Sequence, residues 1–95
     1  MSVDAESDDR DLEAELASAE AGHSGIPVDA VCVGCGRTRV KRASLEEMDQ
    51  IDADPMVLEA SDCTSFKHVC YPCQGATWWN PVAVLTGLLE SERGE

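Results

Sequence analysis

The chain has 95 residues, with 19 acids against seven lysines and arginines, and a formal charge of −12. That length limits it to one domain. No stretch approaches the ~20 apolar residues of a spanning helix, and the acidic N-terminus has no apolar run of the secretory kind. The expectation is a soluble, cytoplasmic protein with no membrane association.

From Met1 to Gly22 there are eight acids and a single base, Arg10, a local charge of −7. The segment has no aromatic residue and only scattered Val, Leu and Ala, too little apolar surface to offset the entropy of ordering. Leu12 and Leu16 are spaced for a transient helix, but residues 1–28 read as a solvated acidic tail and linker. The folded domain is expected at 29–92. About seventy residues make a marginal core, which usually needs a metal or disulfide staple.

Residues 30–33 form a short apolar stretch into the first cysteine pair. The following run, 37–42, has β-branched Thr38 and Val40 and predicts a hairpin strand. Ser44 with Glu47 three residues on is a capping box, and Leu45, Met48 and Ile51 supply an apolar face, so a helix is predicted over 44–51 and stopped by Asp54-Pro55. Residues 56–60 and 66–70 read as strands. Asn80-Pro81 reads as an N-cap with proline at the first helical position, opening a C-terminal helix whose face holds Val82, Leu85 and Leu89.

Five cysteines stand in the chain. Four make two CxxC units, Cys32-Val-Gly-Cys35 and Cys70-Tyr-Pro-Cys73, separated by 34 residues. A tight turn between paired cysteines aims backbone amides at the sulfurs, and a glycine just beyond eases it by accepting positive φ. Gly36 occupies that place in the first unit, and Gly75 lies one position later in the second. In a reducing compartment two such knuckles favour metal over disulfides. The predicted site is one tetrahedral Zn2+ per chain held by Cys32, Cys35, Cys70 and Cys73, with iron as the other ion suited to four thiolates. Thiol redox chemistry is the weaker reading, because neither pair opens a helix that would lower a thiol pKa. Cys63 reads as a small buried hydrophobe, His68 as a surface residue or sulfur hydrogen-bond donor, and His23 carries no role.

At these two units the chain resembles the small zinc-finger proteins of haloarchaea built on paired CPxCG-related knuckles, within the zinc-ribbon-like group. The first unit has Val where the motif has proline. In the second, proline comes one place late and Gln74 replaces glycine. The acid-rich composition is similar to that of salt-loving archaeal proteins, whose acidic surfaces keep them soluble. The resemblance implies regulatory or binding roles rather than catalysis. The fold expected is a small metal-stabilised α+β domain, with zinc-ribbon-like β-hairpins, a helical insertion and a C-terminal helix.

Residues 31–43 carry four bases, Arg37, Arg39, Lys41 and Arg42, and no acid; residues 44–62 carry seven acids and no base. With Trp78 and Trp79, the basic strand offers a surface for gripping phosphates and stacking on bases. The net charge opposes that, and pairing of the strand with the acidic segments is the simpler expectation. The first functional reading is a regulatory adaptor for an unidentified protein partner, or a homodimer through exposed Trp and Leu residues. Nucleic acid is the alternative partner. No phosphate loop, nucleophile elbow or HExxH motif is present, so no enzyme is expected.

Overall fold

The computed structural model describes residues 11–93, with the side chain of Arg93 left aside. In chain order it holds helix α1 (Leu12–Ala17), a 3-10 turn (Ala19–Ala21), strands β1 (Ile26–Cys32) and β2 (Thr38–Ala43), a second 3-10 turn (Ala60–Asp62), strands β3 (Phe66–Cys70) and β4 (Gly75–Val84), and helix α2 (Thr86–Arg93). The α+β class is as expected. The four strands make one antiparallel sheet in the order β2-β1-β4-β3. Two hairpins therefore lie side by side, joined through β1 and β4, and both of their turns carry a CxxC unit at the same end of the sheet.

The sheet curls enough to bring its two edges together: Lys41 Nζ on β2 donates to the carbonyl of Val69 on β3 at 2.7 Å. Directly paired residues share a face, so Cys32, Trp79 and Phe66 line the inside in one row. The main core is Val28, Ala30, Cys32, Ala43, Met48, Phe66, Cys70 and Trp79. A smaller cluster forms on the outer face, where Val40 meets Leu16 and Ala21 with Leu12, Leu85 and Leu88 packed against them.

Four expectations are corrected. The tail expected over 1–28 is folded from Leu12: Asp11 caps α1 by accepting from Ala14 N–H, Leu16 and Ala21 are buried, and Ile26–Val28 already belong to β1. The part of that expectation covering residues 1–10 lies outside the described residues. The predicted helix over 44–51 is one turn only. Its capping box forms, with Ser44 N–H donating to Glu47 Oε1 at 2.9 Å and Glu47 N–H to Ser44 Oγ at 3.0 Å. The turn then closes at once, because Asp49 takes φ 61° and Gln50 N–H reaches back to Leu45 O at 2.8 Å, a C-terminal arrangement with a left-handed residue. Met48 plugs the core while Ile51 is 65 % exposed, so the helical insertion becomes a loop of turns. Residues 56–60 form no strand either: Asp54 Oδ1 accepts from Met56 N–H, a local turn that competes with strand pairing.

Finally, Asn80-Pro81 does not start a helix. β4 runs through both residues to Val84, and the register with β1 shifts between Asp29 and Ala30, whose partners are Ala83 and Pro81. Val82 is thus the extra residue of a bulge, the place where a strand tolerates a proline that cannot donate. The C-terminal helix begins at Thr86 and buries Leu89.

Candidate metal centre

The structure brings Cys32, Cys35, Cys70 and Cys73 together, their sulfurs all within 4.8 Å of one another. Each pair comes from the end of one strand and the turn after it, so the sheet pairing itself sets the two knuckles face to face. The short approaches run between the units: Cys32 Sγ to Cys73 Sγ is 3.9 Å and Cys35 Sγ to Cys70 Sγ is 3.7 Å. A tetrahedron with Zn–S near ~2.3 Å has sulfurs about 3.8 Å apart. The donor set thus has the spacing such an ion requires.

The first knuckle is built as anticipated. Gly34 N–H donates to Cys32 Sγ at 3.3 Å, Gly36 N–H to Cys32 O at 2.8 Å, and Gly36 takes φ 83°. The second knuckle differs from expectation. The left-handed residue is Gln74, at φ 62°, and Gly75 begins β4. Gly34 also keeps the centre open: a Cβ there would stand 3.1 Å from Cys73 Sγ.

Cys32 and Cys70 are buried, Cys73 is half-buried, and Cys35 faces solvent. Burial resists ionisation of Cys32, but the Thr77 hydroxyl, 3.0 Å from its sulfur, and the amides of Cys35 and Gly34 overcome it and lower the pKa to about 6. Cys73 goes the other way, pushed up to about 12 by its sulfur neighbour Cys70 and by burial. Burial also pushes Cys70 up. One thiolate forms readily, and further negative charge in so small a space is opposed unless a cation sits among the sulfurs. The chemistry of the donor set therefore fits a metal ion.

The remaining candidate residues divide sharply. Trp79 has no exposed surface, and its indole N–H donates to His68 O at 3.1 Å; it is a core residue, which corrects its reading as a binding surface. Trp78 points outward, 51 % exposed, with Lys67 Nζ 5.7 Å from its ring centroid. Each base of the β2 region is paired with a carboxylate. Arg37 meets Glu20 at 2.6 Å, Arg39 meets Glu15 at 3.2 Å, Lys41 meets Glu20 at 3.6 Å, and Arg42 pairs with Glu92. Glu15 Oε1 further accepts from Val40 N–H at 3.0 Å, covering the free edge of β2. The acidic segment thus supplies partners for three of the four bases, and Glu92 pairs with the fourth.

His68 and Cys63 stand outside the sulfur cluster. His68 Nδ1 accepts from Val69 N–H at 2.9 Å, and burial, then Lys41, lower its pKa. Cys63 packs partly buried against the core, and burial and Asp62 raise its pKa. The sequence reading missed Thr77 and the left-handed role of Gln74; it expected acidic partners for the basic strand without naming Glu15 and Glu20, for which the run of eight acids opposite four bases was the signal. No helix among the described residues is long and apolar enough to cross a membrane. No family model, curated protein or solved structure matches the chain.

Proposed function

We propose that this chain is a small structural-zinc protein that acts as a protein-interaction adaptor and not as an enzyme. The observation that carries the reading is the set of four sulfurs gathered within 4.8 Å of one another, contributed equally by two knuckles. Four thiolates close the coordination sphere and leave no position for a reacting water. The ion is zinc, one per chain, held where the two hairpins end. Its role is structural because Cys32 and Cys70 belong to the core of a domain too small to rely on apolar burial alone. Cysteines committed to metal suit a reducing compartment such as the cytoplasm. A haloarchaeal type of knuckle protein remains the identity suggested by the motifs and the acid-rich composition.

The adaptor surface is the outer face of the sheet at the knuckle end. The helices cover the other end of that face around Val40 and leave this one bare. Lys67 is opposite Trp78 in the register, and Val33, 56 % exposed, donates its N–H to Trp78 O from the other side at 2.9 Å. Val31 and Asn80 form the row on one side of Trp78, Val69 and Ala76 the row on the other. No acid stands at any of these positions. Among the described basic side chains Lys67 is the one without a carboxylate partner. An apolar patch with a free ammonium on so acidic a chain fits a protein segment that is apolar and acidic, docked over Trp78. Nucleic-acid binding through residues 37–42 loses the free cations it rested on, since all four bases are paired.

The test is native mass spectrometry with NMR before and after chelation. One zinc per chain and loss of dispersed signals from β1–β4 on chelation are expected. A chain that folds identically without metal would overturn the reading.

A further inference from the structure

Lys41 is the most costly residue in the fold. It has no exposed surface, and a buried ammonium is strongly unfavourable unless its charge is met. Its Nζ donates to Glu20 O at 2.9 Å and Val69 O at 2.7 Å, and lies 4.4 Å from the centroid of Trp79. The carboxylate that would balance it is shared: Glu20 is 3.6 Å from Lys41 but 2.6 Å from Arg37. Two cations face one anion, which leaves a surplus of +1 in and beside the core.

Lys41 and Arg37 are both tied to strands that end in cysteines of the metal centre. Val69, whose carbonyl accepts the hydrogen bond from Lys41 Nζ, directly precedes Cys70. Trp79, under the ammonium, is the register partner of Cys32. Arg37 O accepts from Cys32 N–H at 2.9 Å. Lys41 thus binds the strand that delivers Cys70 through its ammonium, and Arg37 binds the strand that delivers Cys32 through its backbone. Four thiolates around a divalent ion carry a net charge of −2, and groups just outside a coordination sphere that meet its charge contribute to affinity.

We infer that Lys41, Arg37 and Glu20 form a charge-balancing set for the metal centre, and that Glu20 thereby couples docking of the segment Leu12–Ala21 to metal occupancy. The inference rests on the metal reading above. The set makes the two cations supporters of the bound ion and Glu20 their attenuator. Removing positive charge weakens metal binding; removing the Glu20 charge strengthens it. A purely structural plug predicts instead that both changes loosen the fold and the metal together.

The test uses the full chain, titrated with cobalt(II) and read by the thiolate-to-metal charge-transfer band, with zinc affinity from displacement of cobalt. Lys41→Met should weaken both ions by about 10- to 100-fold, Lys41→Arg should retain most of the wild-type affinity, and Glu20→Gln should tighten binding. Hydrogen exchange at the Ala21 and Gly22 amides should speed up in metal-loaded Lys41→Met, which loses the bond from Nζ to Glu20 O. Should Lys41→Met fail to fold, the sign of the Glu20→Gln change decides. Weaker binding in both charge variants, or changes within about twofold in each, would overturn the inference alone. Absence of any charge-transfer band in the wild-type chain would overturn the metal reading and the inference with it.

Discussion

Gln74 stands in its knuckle where Gly36 stands in the other, and both take the left-handed conformation. For a side chain that conformation costs about 1–2 kcal/mol, and Gln74 is exposed, so no burial offsets it. Gln74→Gly should raise the unfolding free energy of the metal-loaded protein by up to about 1 kcal/mol, the larger unfolded-state entropy of glycine offsetting part of the gain. Thermal unfolding checks this, and an unchanged or lower midpoint would show that the turn is not strained. At the centre itself, Thr77→Val keeps the shape and removes the hydroxyl that meets Cys32 Sγ. Hydrogen bonds to charged groups contribute about 1.5–3 kcal/mol, so zinc affinity should drop about tenfold or more while the fold persists. The four ligands were legible because the spacing of two CxxC units is local chemistry. Thr77 was not, since it approaches Cys32 only through the pairing of β1 with β4, which no local signal announces.

At the scale of elements, the hairpin strands β2 and β3 followed from β-branched and apolar runs beside the knuckles, as did the existence of a C-terminal helix from its apolar spacing, whereas the helix over 44–51 and the start of the C-terminal one were misjudged. Residues 44–51 have a genuine start signal, but Asp49 accepts a left-handed turn and Met48 is pulled into the core, so tertiary burial and the stop act before a second turn forms. Asn80-Pro81 carries an equally good start signal, overridden because Trp79 fixes the segment into the sheet and the bulge absorbs the proline. The acidic segment was expected to remain solvated because its apolar content is low. It is held instead by packing of Leu16 and Ala21 on Val40 and by ion pairs with Arg37, Arg39 and Lys41, partners that the segment's own composition does not reveal. At the other terminus Arg42 hydrogen-bonds the Glu92 carboxylate and holds it below its usual 4.5. A carboxyl lowered on folding adds stability above pH 4.5 that is lost as pH falls through the lowered value. For an exposed pair this is no more than about 1 kcal/mol. An NMR titration of Glu92 should show a midpoint below 4.5, and Arg42→Gln should return it to the ordinary range. An unshifted midpoint in the wild-type chain would mean that α2 is not tied to β2 by this pair.

For the molecule as a whole, the question is what holds the sheet closed against a charge of −12. Self-repulsion of that size opposes the compact state. The main core spans one small sheet, and two of its buried members, Cys32 and Cys70, are also proposed ligands. Removing the ion would leave those sulfurs crowded with no cation among them and would free both hairpin turns at once. The row Cys32–Trp79–Phe66 lies next to the cluster, so Trp79 should report the loss directly. In a Trp78→Phe variant the only indole left is fully buried in the native state. Chelation should shift its emission to the red as water reaches the ring, and added zinc should restore the original spectrum. The complementary Trp79→Phe variant keeps the half-exposed Trp78, whose emission should move much less. A chain in which chelation removes the ion and leaves Trp79 emission in place would have a core sufficient by itself, with the four sulfurs holding a metal that the fold does not need.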